Sequence, residues 1–361
     1  MADFEGRRAK LLADLTADAY MIVNLEESDP VSMVYLTGYT GEGVMLLSPG
    51  GVSLLTDSRY TEQAAREVPQ LPVDVVTKGY LGEAAAGIEA RGFRKTTFAS
   101  QRLTYYWVER LRGSLSGELI PLDDPVAILR RTKEPSEIAT LREAIRLTEV
   151  GLERLVREIR IGDKERELAL RLESYMREAG ADGVSFGMNV SAGENTALPH
   201  YRAGDRRLAR GDLLLFDVGA RFEGYCADIT RTFAVGEASD RAGRLYEIVL
   251  AANREGIAAV HAGAKAQDVD GAARQVIDGA GYGDRFGHGL GHGIGLELHE
   301  APTLSSRSED TLVDGMVTTV EPGVYLPGFG GIRIEDDVAV TADGCDVLTH
   351  FPKDELMVVG T

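Results

Sequence analysis

Apolar positions in the first third of the chain fall into short blocks separated by turn residues. Residues 20–25 form a nearly continuous apolar run, which predicts a buried strand. Residues 44–47 and 52–56 flank Ser48-Pro49-Gly50-Gly51, the chemistry of a hairpin turn. Helical spacing over 60–68 and 81–91 encloses a strand-like block at 73–77. A short strand at 96–99 and an amphipathic helix at 103–111 follow, the latter carrying the single tryptophan, Trp107, expected in the core. This α/β pattern with short connections ends near residues 119–125.

From Glu134 the texture changes. Pro135-Ser136-Glu137-Ile138 opens a long helix, with Ile138, Leu141, Ile145, Leu152 and Leu155 at helical spacing. A second helix is predicted over 163–179, with Gly180 as its stop. Two strand regions come next, then helices over 238–262 and 266–279, then a segment rich in glycine and histidine with further strands. The change places a boundary near residue 128, giving domains over 1–127 and 128–361.

Composition narrows the function classes. The 361 residues hold 39 Lys+Arg against 57 Asp+Glu, a net charge of −18 that argues against a nucleic-acid partner. Cys226 and Cys345 are too few for a disulfide framework, so a reducing cytoplasm is expected. Residues 1–15 are charged at nearly every third position and do not read as a signal peptide. Apolar runs such as 19–23 and 257–260 are far shorter than a membrane span, so no membrane partner is expected.

The acids are more informative than their sum. Strand-like segments 213–220 and 225–233 each carry one, Asp217 and Asp228. With a turn centred on Phe222-Glu223, paired residues have numbers summing to 445, and Asp217 then faces Asp228. Directly opposed carboxylates, with Cβ atoms about 5 Å apart, repel unless a cation joins them. Two aspartates on a solvated hairpin face are the competing reading. The arrangement recurs: a strand over 317–321 ends in Glu321, residues 326–331 are loop-like, and the return strand 332–335 ends in Glu335. Alternation puts Arg333 and Glu335 on one face and Ile332 and Ile334 on the other. Offsets of 104 and 107 residues between the acids suggest an internal duplication, though two positions alone also allow coincidence.

Four of the six histidines flank these hairpins. His200 precedes the first acid-bearing strand, and His288, His292 and His299 lie in Phe286-Gly-His-Gly-Leu-Gly-His-Gly-Ile-Gly-Leu-Glu-Leu-His-Glu300. The alternating glycines are expected to let the backbone run close to a ligand. They do not follow the phosphate-cradling order, and no HExxH string occurs. His261 and His350 read as structural. Four acids and an imidazole suit Mn, Co, Fe or Zn. About four negative charges balance two divalent ions, which can share a water, acidify it and polarise a carbonyl. That is hydrolase chemistry.

Several motifs stand in order: Leu55-Thr56-Asp57-Ser58-Arg59-Tyr60; Asp217-Val-Gly-Ala with Gly224-Tyr-Cys-Ala-Asp-Ile-Thr-Arg-Thr; Gly291-His-Gly-Ile-Gly-Leu-Glu-Leu-His-Glu; Glu321-Pro-Gly-Val-Tyr; and Ile332-Arg-Ile-Glu-Asp. Over its whole length the chain resembles the Xaa-Pro peptidases, prolidase and aminopeptidase P, of the pita-bread metallopeptidases. The resemblance implies a creatinase-like α/β N-terminal domain and an α+β pita-bread catalytic domain with an internal pseudo-twofold repeat. It implies two divalent ions, usually Mn or Co, on Asp217, Asp228, His292, Glu321 and Glu335, with Asp228 and Glu335 shared between them. Glu321 would also carry the proton of the attacking hydroxide. His288 and His299 would bind substrate and stabilise the tetrahedral intermediate, His200 would contact substrate near the scissile bond, and Arg333 would orient Glu335. Short proline-containing peptides and a homodimer complete the expectation. Xaa-Pro dipeptides are the favoured substrates, with an aminopeptidase P acting on longer peptides as the alternative. A catalytically inactive pita-bread binding module is the alternative of another class, disfavoured by the intact ligand set. Phe186-Gly187-Met188-Asn189-Val190 departs from the family's usual stretch and leaves the pocket near His200 open.

Overall fold

In the computed structural model, which describes residues 2–361, the chain divides into two units, Met1–Arg130 and Arg131–Thr361. The strands of the first are Ala19–Asn24 (β1), Gly43–Ser48 (β2), Gly51–Asp57 (β3), Val73–Val76 (β4), Lys95–Ala99 (β5) and Glu118–Leu122 (β6). They form one mixed sheet in the order β4-β3-β2-β1-β5-β6, with β2 antiparallel to both neighbours. All six residues of β1 are buried, as its apolar run predicts for a central strand. Helices Phe4–Ala13 (α1), Pro30–Thr37 (α2), Thr61–Glu67 (α3), Tyr80–Ala90 (α4), Tyr105–Arg112 (α5) and Pro125–Arg130 (α6) complete the unit. Trp107 is half-buried and packs against the core.

Three of these helices, α1, α2 and α6, are not predicted from the apolar spacing. In α1 the buried face includes Arg7 and Arg8, which donate to Tyr35 O and Leu36 O, so charge stands where a pattern reader expects apolar residues. In α2 the caps are the signal: Asp29 accepts the Ser32 N–H, Pro30 opens the helix, and Gly38 at φ 80° ends it.

The second unit starts with the helices Pro135–Glu158 (α7) and Glu165–Ala179 (α8). Glu134 and Glu137 form a capping box on α7, and Gly180 at φ 120° follows α8. Strands Gly183–Val184 (β7), Asn189–Ala192 (β8), Leu213–Val218 (β9), Ala220–Phe222 (β10), Tyr225–Cys226 (β11) and Ile229–Val235 (β12) follow. A second helix pair, Asp240–Ala258 (α9) and Ala266–Gly279 (α10), leads into Gly291–Gly293 (β13), Glu300–Leu304 (β14), Val317–Val320 (β15), Gly323–Leu326 (β16), Gly330–Arg333 (β17) and Asp336–Thr341 (β18). Gly344–Val347 (β19) and Val358–Val359 (β20) close the chain. Each half is therefore a helix pair followed by strands that include a broken hairpin. One apolar core lies mainly under α7 and α8, the other under α9 and α10.

The first hairpin departs from the expected register. Phe222 pairs with Tyr225 and Asp217 with Thr230, a sum of 447 instead of 445. The turn is Glu223-Gly224, with φ 47° and 83°, the positive values that a two-residue turn needs to match strand twist. Asp228 is thus a diagonal neighbour of Asp217, not its direct partner. A shift of two in the sum keeps side-chain parity, so both acids still lie on one side. In the second hairpin, pairing of Val320 with Asp336 and Gly323 with Arg333 places Glu321 and Glu335 opposite each other in the gap between two ladders. Ile332 and Ile334 are fully buried in the core on the other face, as alternation predicts.

The glycines of the histidine segment leave room for neighbouring backbone. A Cβ at Gly291 would lie 2.0 Å from Thr319 O, and one at Gly293 would lie 2.4 Å from Ala301 O. The close approach is therefore to neighbouring backbone, which lets β13 sit between β14 and β15 and carry His292 inward.

Candidate metal centre

The two broken hairpins meet face to face. Glu335 N–H donates to Thr230 O at 3.1 Å, Thr232 Oγ1 to Arg333 O at 3.0 Å, and Asp228 N–H to Asp337 Oδ2 at 3.1 Å. Arg231, almost fully buried, pins the seam by donating to Asp336 Oδ1 at 2.8 Å and to Phe351 O. All seven residues of β12 are buried, so its polar side chains point into this junction and not into water.

Asp228, His292 and Glu335 each offer a ligand atom within 4.8 Å of the others. His292 Nε2 lies 3.7 Å from Asp228 Oδ2 and 3.6 Å from Glu321 Oε1. Asp217 and Asp228 lie close enough for each carboxyl to influence the other, and Arg333 Nη2 donates to Asp217 Oδ2 at 2.5 Å. All five residues expected as ligands therefore converge.

Three features of this cluster fit a cation. Asp228 Oδ1 and Glu335 Oε1 are buried without a hydrogen-bond partner, a costly state for a carboxylate oxygen. His292 Nδ1 contacts Gly293 O at 3.0 Å; as the donor there, it leaves Nε2 as a bare lone pair aimed at carboxylate oxygens. Burial, with Glu335, Asp217 and Glu321 alongside, holds the Asp228 carboxyl far above its usual range. Burial, with Glu321 and Asp217, does the same to Glu335, and burial pushes Glu321 up to about 8. Asp217 is also raised by burial, against the pull of Arg333. Burial lowers His292 to about 4, keeping it neutral as a ligand must be. Acidic groups and an imidazole lone pair turned on one another are the donor set of a hard metal site.

The other expected site residues are placed as follows. His299 is exposed and its ring lies 4.4 Å from that of His292. His200 is also exposed, near enough to Asp217 for a positive charge on its ring to lower that carboxyl. His288 presents no free ring nitrogen: Nδ1 contacts Gly289 O at 2.8 Å and Nε2 contacts the Tyr325 hydroxyl at 2.9 Å. In this arrangement both its ring nitrogens are engaged by the protein, and the group beside Nε2 is Tyr325. Arg333 has a further contact besides the link to Glu335 expected of it. It binds Asp217 directly and reaches Glu335 only through Thr230, whose hydroxyl accepts from Arg333 Nε at 3.0 Å and donates to Glu335 Oε2 at 2.6 Å. The cause is the break between β17 and β18, which takes Glu335 out of the ladder that holds Arg333. His261 and His350 are exposed, and Cys226 and Cys345 are free thiols.

Thr230, Tyr325 and Asp337 also line the centre without standing out in the sequence. Thr230 and Tyr325 each lie within a motif that carries ligands, and Asp337 follows Glu335 by two, the strand period that would keep it in phase. Tyr325 donates to His288 Nε2 when Nδ1 holds the proton, and accepts from Arg333 Nη1 at 2.8 Å. One chain of hydrogen bonds thus runs from His288 to Asp217.

Residues 139–342 match the model of metallopeptidase family M24, and residues 7–132 match that of the creatinase/prolidase N-terminal domain. The chain is 36% identical to an Xaa-Pro dipeptidase of Pyrococcus furiosus over 331 residues, 91% of this chain and 93% of that protein. A solved Xaa-Pro dipeptidase from Bacillus anthracis superposes with a TM-score of 0.94 at 38% identity, covering 99% of each chain. A solved X-Pro aminopeptidase from Thermotoga maritima gives 0.92 at 38% identity, covering 98% of this chain and all of that one. With the family model matched over more than half its length, the chain belongs to metallopeptidase family M24, an enzyme family of hydrolases, with a creatinase-type N-terminal domain ahead of its pita-bread catalytic domain.

Proposed function

We propose that this protein is a metal-dependent Xaa-Pro dipeptidase, hydrolysing the bond between an N-terminal residue and proline in short peptides. The observation that carries the reading is the convergence of Asp228, His292 and Glu335 within 4.8 Å, with buried carboxylate oxygens left unpartnered. Asp217 and Glu321 complete a set that would hold two divalent ions, with Mn or Co proposed ahead of Zn or Fe. Bound there, such ions supply an acidified water and positive charge for the carbonyl oxygen under attack. No helix among the described residues is long and apolar enough to cross a membrane; a cytoplasmic location is part of the proposal on the cysteine count, and a homodimer on the family likeness alone.

The protein's own groups divide the remaining work. Glu321, with Oε1 accepting from Thr319 Oγ1 at 3.3 Å, takes up the proton released by the attacking water and returns it to the departing proline nitrogen. Arg333 fixes Asp217 directly and Glu335 through Thr230, so one guanidinium sets two carboxylates. His299 and His200, both exposed beside the centre, are the groups free to donate to substrate. His288 acts by holding Tyr325.

The test is a metal-restoration assay. Chelated protein is expected to be inactive, and Mn²⁺ or Co²⁺ to restore cleavage of Ala-Pro at a higher kcat/KM than Ala-Pro-Pro. No hydrolysis of either peptide after restoration would refute the reading, and faster cleavage of Ala-Pro-Pro would make the enzyme an aminopeptidase instead.

A further inference from the structure

Glu165 is the first residue of α8 and is fully buried. A buried carboxylate is costly unless its lone pairs are satisfied, and here four donors satisfy them. Oε1 accepts from Ala192 N–H at 2.8 Å and Asn195 Nδ2 at 2.9 Å; Oε2 accepts from Tyr201 O–H at 2.9 Å and Gly204 N–H at 3.1 Å. All four donors lie in residues 192–204, the segment that carries His200. The start of α8 binds the far end of this segment again, through Arg166 N–H to Gly204 O at 3.0 Å and Glu165 N–H to Arg206 O at 3.1 Å. Asn195 Nδ2 also donates to the Tyr201 hydroxyl at 3.0 Å, bracing the two limbs of the loop against each other. From the side of the metal centre, Asn189 stands opposite Asp217 across β8 and β9 and donates to Pro199 O at 3.0 Å. The inner side of the loop is fastened by these bonds, and His200 projects from it into solvent.

The geometry points to Glu165 as a positioning residue for peptide hydrolysis: its carboxylate fixes the loop that presents His200 to substrate beside Asp217. This rests on the role proposed above for His200. Both Glu165 oxygens must accept, and two of the donors, Ala192 N–H and Gly204 N–H, are backbone groups that cannot reverse. In either orientation, the amide of Glu165→Gln turns an NH₂ group on one of them, which frees one limb of the loop.

The experiment is a double-mutant cycle on metal-loaded enzyme with Ala-Pro, using Glu165→Gln, His200→Ala and the pair. Metal content is measured alongside, and is expected to stay unchanged because Glu165 contacts none of the five candidate ligands. Glu165→Gln alone is expected to lower kcat/KM by about 10²-fold, the scale of a misplacement near 1 Å. Added to His200→Ala it is expected to cost less than about twofold, since the group it positions is already gone. Tyr201→Phe removes one donor without changing the buried charge, and is expected to give a smaller loss that likewise vanishes in the His200→Ala background. An equal loss in both backgrounds overturns the proposal, as does full activity of both Glu165→Gln and Tyr201→Phe where His200→Ala is impaired. If His200→Ala is itself silent, the role given to His200 fails first and the proposal falls with it.

Discussion

Replacing Asp228 by asparagine is expected to abolish peptide hydrolysis and to lower the metal content below two ions per chain. The side chain is buried, lies within ligand distance of His292 and Glu335, and leaves Oδ1 without a partner. Asparagine keeps the volume and leaves the Asp228 N–H bond to Asp337 in place, but turns one oxygen into a donor and removes a negative charge. A donor placed among lone pairs cannot bind a cation. The loss should be on the order of 10⁴-fold or more in kcat, the range seen when an indispensable catalytic group is removed. Folding should survive, because Asp228 sits among like charges that favour its neutral form. The variant should therefore keep the circular dichroism of the parent while metal analysis shows the deficit. A variant that kept two metals and full turnover would remove Asp228 from the site altogether.

What made Asp228 legible was parity more than register. The assumed turn at Phe222-Glu223 is one residue from the real one, because Glu223-Gly224 alone offers the two positive φ values of a tight hairpin. Each strand slips by one residue in opposite senses, so the face assignment survives and the direct pairing does not. Arg333 and Glu335 share a face for the same reason, yet their division of labour depends on where the ladder breaks, which no alternation encodes. Glu165 is the instructive omission. In Lys164-Glu165-Arg166-Glu167 it looks like any solvated charge. Only its phase with Leu168, Leu172 and Met176, all buried on α8, marks it as inward-facing. Arg7 and Arg8 hid α1 in the same manner, since a buried charge defeats any reading that equates charge with surface. The three-dimensional fact behind Glu165 and the two arginines is a set of hydrogen bonds to backbone and side-chain groups distant in sequence, which composition and spacing do not contain.

The charge gathered at the centre also sets how the metal-free protein responds to pH, and its stability is expected to fall as pH rises from about 6.5 to about 8. Burial raises Glu321 to about 8, and burial with mutual repulsion raises Asp217, Asp228 and Glu335. A carboxyl raised in the fold retains its proton after the unfolded chain has released it near 4, so its contribution is complete below that pH and is lost as pH climbs to the folded value. The histidines act in the opposite sense. His288 and His292 are lowered to about 4, mainly by burial, so their contribution is present above about 6.5 and fades as pH falls. The two sets oppose each other below 6.5, and above it the carboxyls act alone. Each proton retained only by the fold is worth about 1.4 kcal/mol per pH unit. Glu321 by itself then removes about 2 kcal/mol between pH 6.5 and 8, and the acids coupled to it add to that. Thermal melts of chelated protein should show a Tm lower by about 5 °C or more at pH 8 than at pH 6.5. Saturating Mn²⁺ or Co²⁺ should reverse the trend, because the same carboxylates must be deprotonated to bind. Asp228→Asn, which takes one charge out of the repelling set, should flatten the decline in the chelated protein. A Tm that stays level or rises over this window without metal would mean that the four carboxylates do not share one buried field.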